Sequence, residues 1–140
     1  MTDHTILRVV SKLLLPYVLL FALYVQFHGD YGPGGGFQAG VIFAAGFVLY
    51  GLIFGLTEVR RVAPARMIEL LIATGVLVYA GTGVVTMLLG GNFLDYDFLN
   101  PAHPSTGQHY GILVVELGVG RTVAAVMIAI YSTFAGRGRA

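Results

Sequence analysis

The chain has 140 residues, 56% of them hydrophobic and 11% charged, with a formal net charge of +1 and no cysteine. Soluble domains carry about 25% charged residues, so this composition excludes a disordered chain and argues against an ordinary soluble enzyme. A net charge near zero offers no basic face for nucleic acid, and the missing cysteines exclude disulfides, zinc–thiolate sites and cysteine-held iron–sulfur clusters. The class that remains is an integral membrane protein.

Between Lys12 and Asp30 there is no formal charge. With Ile6–Val10 included, the segment 6–27 is long enough to cross a hydrocarbon core of about 30 Å, which takes roughly 20 helical residues. No small-residue cleavage site follows it, so it is not expected to be a cleaved signal peptide. His28–Gly36 (HGDYGPGGG) is a turn-rich loop in which Pro33 and the glycines disfavour helix. A second span is expected over 37–56, followed by a short basic loop, Glu58–Arg66, containing Pro64. A third span covers 67–89, with Glu69 near its start. Gly90–His109 is the longest loop and carries Asn92, Asp95, Asp97, Pro101 and Pro104. The fourth span, 110–134, holds two charges, Glu116 and Arg121. The expected fold is therefore all-α, an integral membrane bundle of four transmembrane helices in a single domain over 1–140. No internal repeat is visible, which disfavours an inverted-repeat transporter built within this chain.

The basic residues predict an orientation. Arg8 and Lys12 precede the first span, Arg60, Arg61 and Arg66 lie in the second loop, and Arg137 and Arg139 end the chain. The first and third loops have no Lys or Arg. Short loops rich in Lys and Arg stay cytoplasmic. Both termini are thus expected inside, with Asp30, Asp95 and Asp97 facing the exterior.

Glu116 and Arg121 are the strongest site candidates. A charge near a helix centre costs about 2.5–3.5 kcal/mol on insertion, and each Leu, Ile, Val or Phe returns roughly 0.3–0.6 kcal/mol. The fourth span has eleven such apolar residues, so gain and penalty are comparable and the helix should depend on protein neighbours. Five residues of helix mean about 140° of rotation and roughly 7.5 Å of rise, a poor geometry for pairing the two charges with each other. Each therefore needs a partner elsewhere, and intramembrane ionisable groups mark ion or proton routes. A structural inter-helix ion pair is the competing explanation.

Gly34, Gly36 and Ala39 match a relaxed dinucleotide fingerprint by letter, but the motif must follow a strand inside a βαβ unit. A membrane span precedes it here, so a tight turn feeding the second helix is expected instead. Gly36, Gly40 and Ala44, then Gly51 and Gly55, recur every four residues, a spacing that admits close helix neighbours. His28 and Asp30 beside that turn can relay protons or bind a cation, or simply hydrogen-bond exposed loop amides. His103 and His109 lack identifiable metal partners, and no metal site is expected. Glu58 and Glu69 are expected to pair with Arg60, Arg61 and Arg66 at the inner surface. No Ser/His/Asp set, carboxylate pair or H-E-x-x-H motif offers a reaction centre.

The run Phe27–Gly40 (FHGDYGPGGGFQAG) resembles the signature of the MnhB-like family, a small-subunit family of the Mrp-type multisubunit cation/proton antiporters. The resemblance continues through TEVRR, TGVVTMLLGGNFL and VVELGVGRTVAAVM, and so covers essentially the whole chain. Departures are Asp30 at a position often His, Ala39 for a usual Gly, and Arg121 where an apolar residue is expected. The resemblance implies an accessory subunit of a hetero-oligomer in the bacterial cell membrane that exchanges cytoplasmic Na⁺, sometimes K⁺ or Li⁺, for external H⁺. It implies no enzyme activity and no bound cofactor, the proton gradient being the driving force. On this reading Glu116 couples cation or proton movement, with His28 and Asp30 on the same pathway. Arg121 sets the local field or is structural, and Pro33, Gly34, Gly35, Gly36 and Phe37 shape the turn. Alternatives are a membrane subunit of a hydrogenase or related redox-driven pump, a stand-alone homo-oligomeric transporter, and a purely structural scaffold.

Overall fold

A computed structural model describes residues 5–29 and 31–137. Helix α1 runs Thr5–His28, α2 Gly36–Phe54, α3 Leu56–Val62, α4 Ala65–Leu88 and α5 Pro104–Arg137, with a short 3₁₀ turn at Tyr96–Leu99. Helices α1, α2, α4 and α5 are each long and apolar enough to cross a membrane, which makes this a membrane protein.

Helix α5 is the spine of the array. Helices α2 and α4 pack on opposite sides of it without an interface of their own, and α1 lies against α2. The lateral order α1–α2–α5–α4 explains the burial. In α1 only Ser11, Ala22 and Gln26 are buried. On a helix, residues eleven apart return to within about 20° of one another and residues four apart to within about 40°, so these three form one narrow stripe. Most other α1 side chains, Leu13, Tyr17, Leu20 and Phe21 among them, face outward. In water that surface would be an aggregation hazard; in a bilayer it meets acyl chains or a neighbouring protein.

Small residues let the central helices approach. A Cβ on Gly36 would collide with the Glu116 carbonyl, and one on Gly40 would stand 2.5 Å from the Gly120 carbonyl oxygen. On the other flank of α5, a Cβ on Gly75 would lie 2.8 Å from the Gly118 carbonyl and one on Gly118 3.0 Å from the Gly75 carbonyl. The small-residue spacing in the second span is thus used, with α1 on its other side: a Cβ on Gly46 would stand 3.1 Å from a Leu19 methyl.

Two connections differ from the sequence expectation. Much of the basic segment after the second span is the helix α3, not loop. Leu56, Val59 and Ala63, spaced three and four apart, are buried on one face, Val59 and Ala63 in a core with Ala44, Ile68, Ala125 and Ile128, leaving Arg60 and Arg61 exposed. The third loop is shorter than expected because α5 starts at Pro104, whose missing N–H and fixed φ suit a first helical position. His109 consequently sits on α5 rather than in a loop. Fully buried Thr86 ties this loop to the end of α4. Its hydroxyl lies 2.8 Å from the Gly83 carbonyl and 3.0 Å from that of Asn92, and accepts the Leu94 N–H at 3.0 Å.

The basic residues gather at one end. The charged groups of Arg8 and Lys12, at the start of α1, lie 5.9 and 5.5 Å from the Phe54 ring centre at the end of α2. Arg60 reaches the last turn of α5 beside Gly136. Glu58 pairs with Arg61 at 3.3 Å, whereas Glu69 has no ion pair among the described residues.

Candidate functional site

The opposite end holds the Gly-rich turn. The Tyr31 N–H donates to the His28 carbonyl at 3.0 Å, and Gly34 and Gly35 then take φ of 157° and 126°. At Gly35 that angle is one L side chains rarely adopt. The Gly35 carbonyl accepts the Ala39 N–H at 3.0 Å and so starts α2. Pro33 is exposed, Gly34 packs beside Val25, and Phe37 faces outward at 60% exposure.

This turn closes around Glu116. A Cβ on Gly29 would stand 2.7 Å from Glu116 Oε2 and 3.0 Å from Oε1, and one on Gly35 would stand 2.7 Å from Oε1. The carboxylate therefore occupies space that exists only because both positions lack a side chain. Gly36 meets the Glu116 backbone in the same way. The half-buried carboxylate lies level with the outer ends of α1 and α2, not deep among the helices. Helix α5 rises past it by about 18 Å on the N-terminal side. There the 3₁₀ turn packs on α5, with the Tyr96 ring against Gly111 and Gln108 Nε2 donating to Asp97 Oδ1 at 2.9 Å. The Tyr96 phenol titrates above its ordinary 10.0, chiefly through burial, then through the neighbouring Tyr79 and the Glu116 charge.

His28 lies in a row of rings along the same rim. Its ring stacks on Tyr24 with centroids 5.1 Å apart and meets Tyr31 at 6.4 Å; Tyr31 meets His109 at 6.0 Å. Asp30, the remaining expected pathway residue, lies outside the described residues. Among the described residues, no group of three His, Asp or Glu is placed to hold a metal ion.

Arg121 stands apart from Glu116. It lines a cavity of about 550 Å³ together with Gln26. Gln26 was missed by the sequence reasoning. Its signal is that it is the one amide in the otherwise apolar run Leu13–Phe27. Gly29 and Tyr96 were missed as well, because their relation to Glu116 spans distant parts of the chain.

Residues 6–129 match the family model described as a domain related to the MnhB subunit of Na⁺/H⁺ antiporter. The chain belongs to this MnhB-related family. A relative from Staphylococcus epidermidis, provisionally named antiporter subunit mnhB2, is 33% identical over 136 residues, covering 96% of each chain. A protein of the same name from Staphylococcus aureus is 34% identical over 136 residues, again covering 96% of each. The matched residues include both the turn and Glu116.

Proposed function

We propose that this MnhB-type chain is an accessory membrane subunit of a multisubunit monovalent cation/proton antiporter, exporting Na⁺ in exchange for H⁺ driven by the proton gradient. Its location is a bacterial inner membrane, with the basic end and both termini in the cytoplasm. Short basic segments are retained on that side, and the clustering of Arg8, Lys12 and Arg60 at one end supports this orientation. The observation that carries the reading is the Glu116 carboxylate set against Gly29 and Gly35, with Gly36 against its backbone.

A carboxylate in a pocket of backbone can change its proton and cation occupancy while its position stays fixed. Ionisable groups of membrane helices serve ion and proton pathways for this reason. His28, Tyr31 and His109 continue a polar rim beside it and supply groups that exchange protons with water. In this role the chain is a transporter subunit and not an enzyme, and Pro33, Gly34 and Phe37 act by shaping the turn.

Glu116→Gln and Glu116→Asp variants, produced with the companion subunits, test this. Na⁺-driven proton release from everted vesicles is measured beside the amount of assembled complex. The expected outcome is normal assembly with antiport lost in Glu116→Gln and partly kept in Glu116→Asp. Full antiport by a normally assembled Glu116→Gln complex would overturn the role of Glu116. Failure of the chain to copurify with any companion in mild detergent would overturn the subunit reading itself.

A further inference from the structure

The cavity that contains Arg121 is a groove floored by α5. Its walls come from α1 and α2 on one side and α4 on the other, and it exists because α2 and α4 each pack on α5 without packing on each other. Along α5 it runs from Val114 to Ile128, about 21 Å of helix. Its lining is apolar, with Phe43, Leu71, Leu117 and Ala124 typical, apart from Gln26 and Arg121. Gln26 is only 6% exposed. Its Nε2 and the Arg121 Nε are buried donors with no hydrogen-bond partner among the described residues. Leaving such groups unpaired in an apolar surrounding is costly, most of all for a cation.

We infer that this groove seats a transmembrane helix of a partner subunit, and that the helix brings an Asp or Glu carboxylate to Arg121 and Gln26. This rests on the reading of the chain as one subunit of a larger assembly. Three observations select the occupant. Both unpaired groups are N–H donors and one is cationic, so the complementary group is an anionic acceptor. Arg121 lies seven residues from each end of the groove. A lipid lying along it would place its headgroup at one end and methylenes at the centre, where the donors are. A helix can carry one acid at its midpoint with apolar residues on either side. It also satisfies its own backbone hydrogen bonds, as any segment within hydrocarbon must.

A photo-reactive p-benzoylphenylalanine replacing Leu117, a groove residue 41% exposed, tests the inference in membranes containing the full complex. Illumination and peptide mapping should give an adduct with a spanning helix of a companion subunit, within two turns of an Asp or Glu. Arg121→Glu should abolish that adduct, and replacing the mapped acid by Arg in the same cells should restore it. Arg121→Lys should keep it. An adduct only with lipid, with a second copy of this chain, or with a helix lacking a nearby acid would overturn the inference, as would an adduct insensitive to Arg121→Glu. If the chain copurifies with companions but Leu117 labels none, the groove assignment fails and the subunit reading stands. If no companion copurifies, both fail.

Discussion

Glu116 and Arg121 are five residues apart on one helix, yet the fold treats them in opposite ways. At Glu116 the α1–α2 connection folds so closely that glycines are required at 29 and 35 beside the carboxylate and at 36 beside the backbone. At Arg121 the flanking helices diverge and leave a groove of about 550 Å³ with a buried donor unmatched among the described residues. The roughly 7.5 Å and 140° between them separate a site the chain completes by itself from one that fits another protein. A charge in a membrane helix is therefore not one kind of feature. Its meaning depends on which neighbour covers its face.

The largest expected effect breaks the closed side. Gly36→Val places a side chain against the Glu116 backbone, which cannot swing aside as a side chain would. Overpacking a core costs typically 1–3 kcal/mol, and at least about 3 kcal/mol is expected here, seen as loss of the chain from detergent-extracted membranes. The open side should tolerate far more. Ala124→Phe fills groove space, and the thermal midpoint of the purified chain should correspond to a change under about 1 kcal/mol, while assembly with companions falls.

Titration sharpens the closed side further. Tyr96 is held above its ordinary 10.0 partly by the Glu116 charge, so Glu116→Gln should lower its midpoint in ultraviolet tyrosinate titration. Because the folded-state value is raised, this group's stabilising contribution is complete below pH 10 and is lost as pH rises through the shifted value. The loss starts at the same pH in the Glu116→Gln chain, but it should be smaller and complete at lower pH. An unchanged midpoint would show that Tyr96 does not sense the carboxylate. The smallest effect is expected away from both faces. The Glu58–Arg61 pair is solvent-exposed, at 37% and 75% respectively, and Arg61→Ala should alter stability by less than about 0.5 kcal/mol.

The sparse charges alone determined that this is a four-span membrane protein, because hydrocarbon accepts only long apolar helices and each span announces itself locally. The Gly-rich turn and the two misplaced charges were legible for the same reason: each is a short-range anomaly against an apolar background. Helix α3 was hidden because its buried face is only Leu56 and Val59 among charges, with Ala63 just past its end, too short to read as an element until the fold buries it. What the tertiary structure decided was who meets whom. Gly29 and Gly35 reach Glu116 across more than eighty residues, and Gln26 shares a groove with Arg121 across ninety-five. Such contacts follow from the lateral order α1–α2–α5–α4, which rests on backbone approach at glycines; their four-residue spacing announces close neighbours but not which helices those are. Charge count determined the solvent of this protein, and helix order assigned each misplaced charge its neighbour.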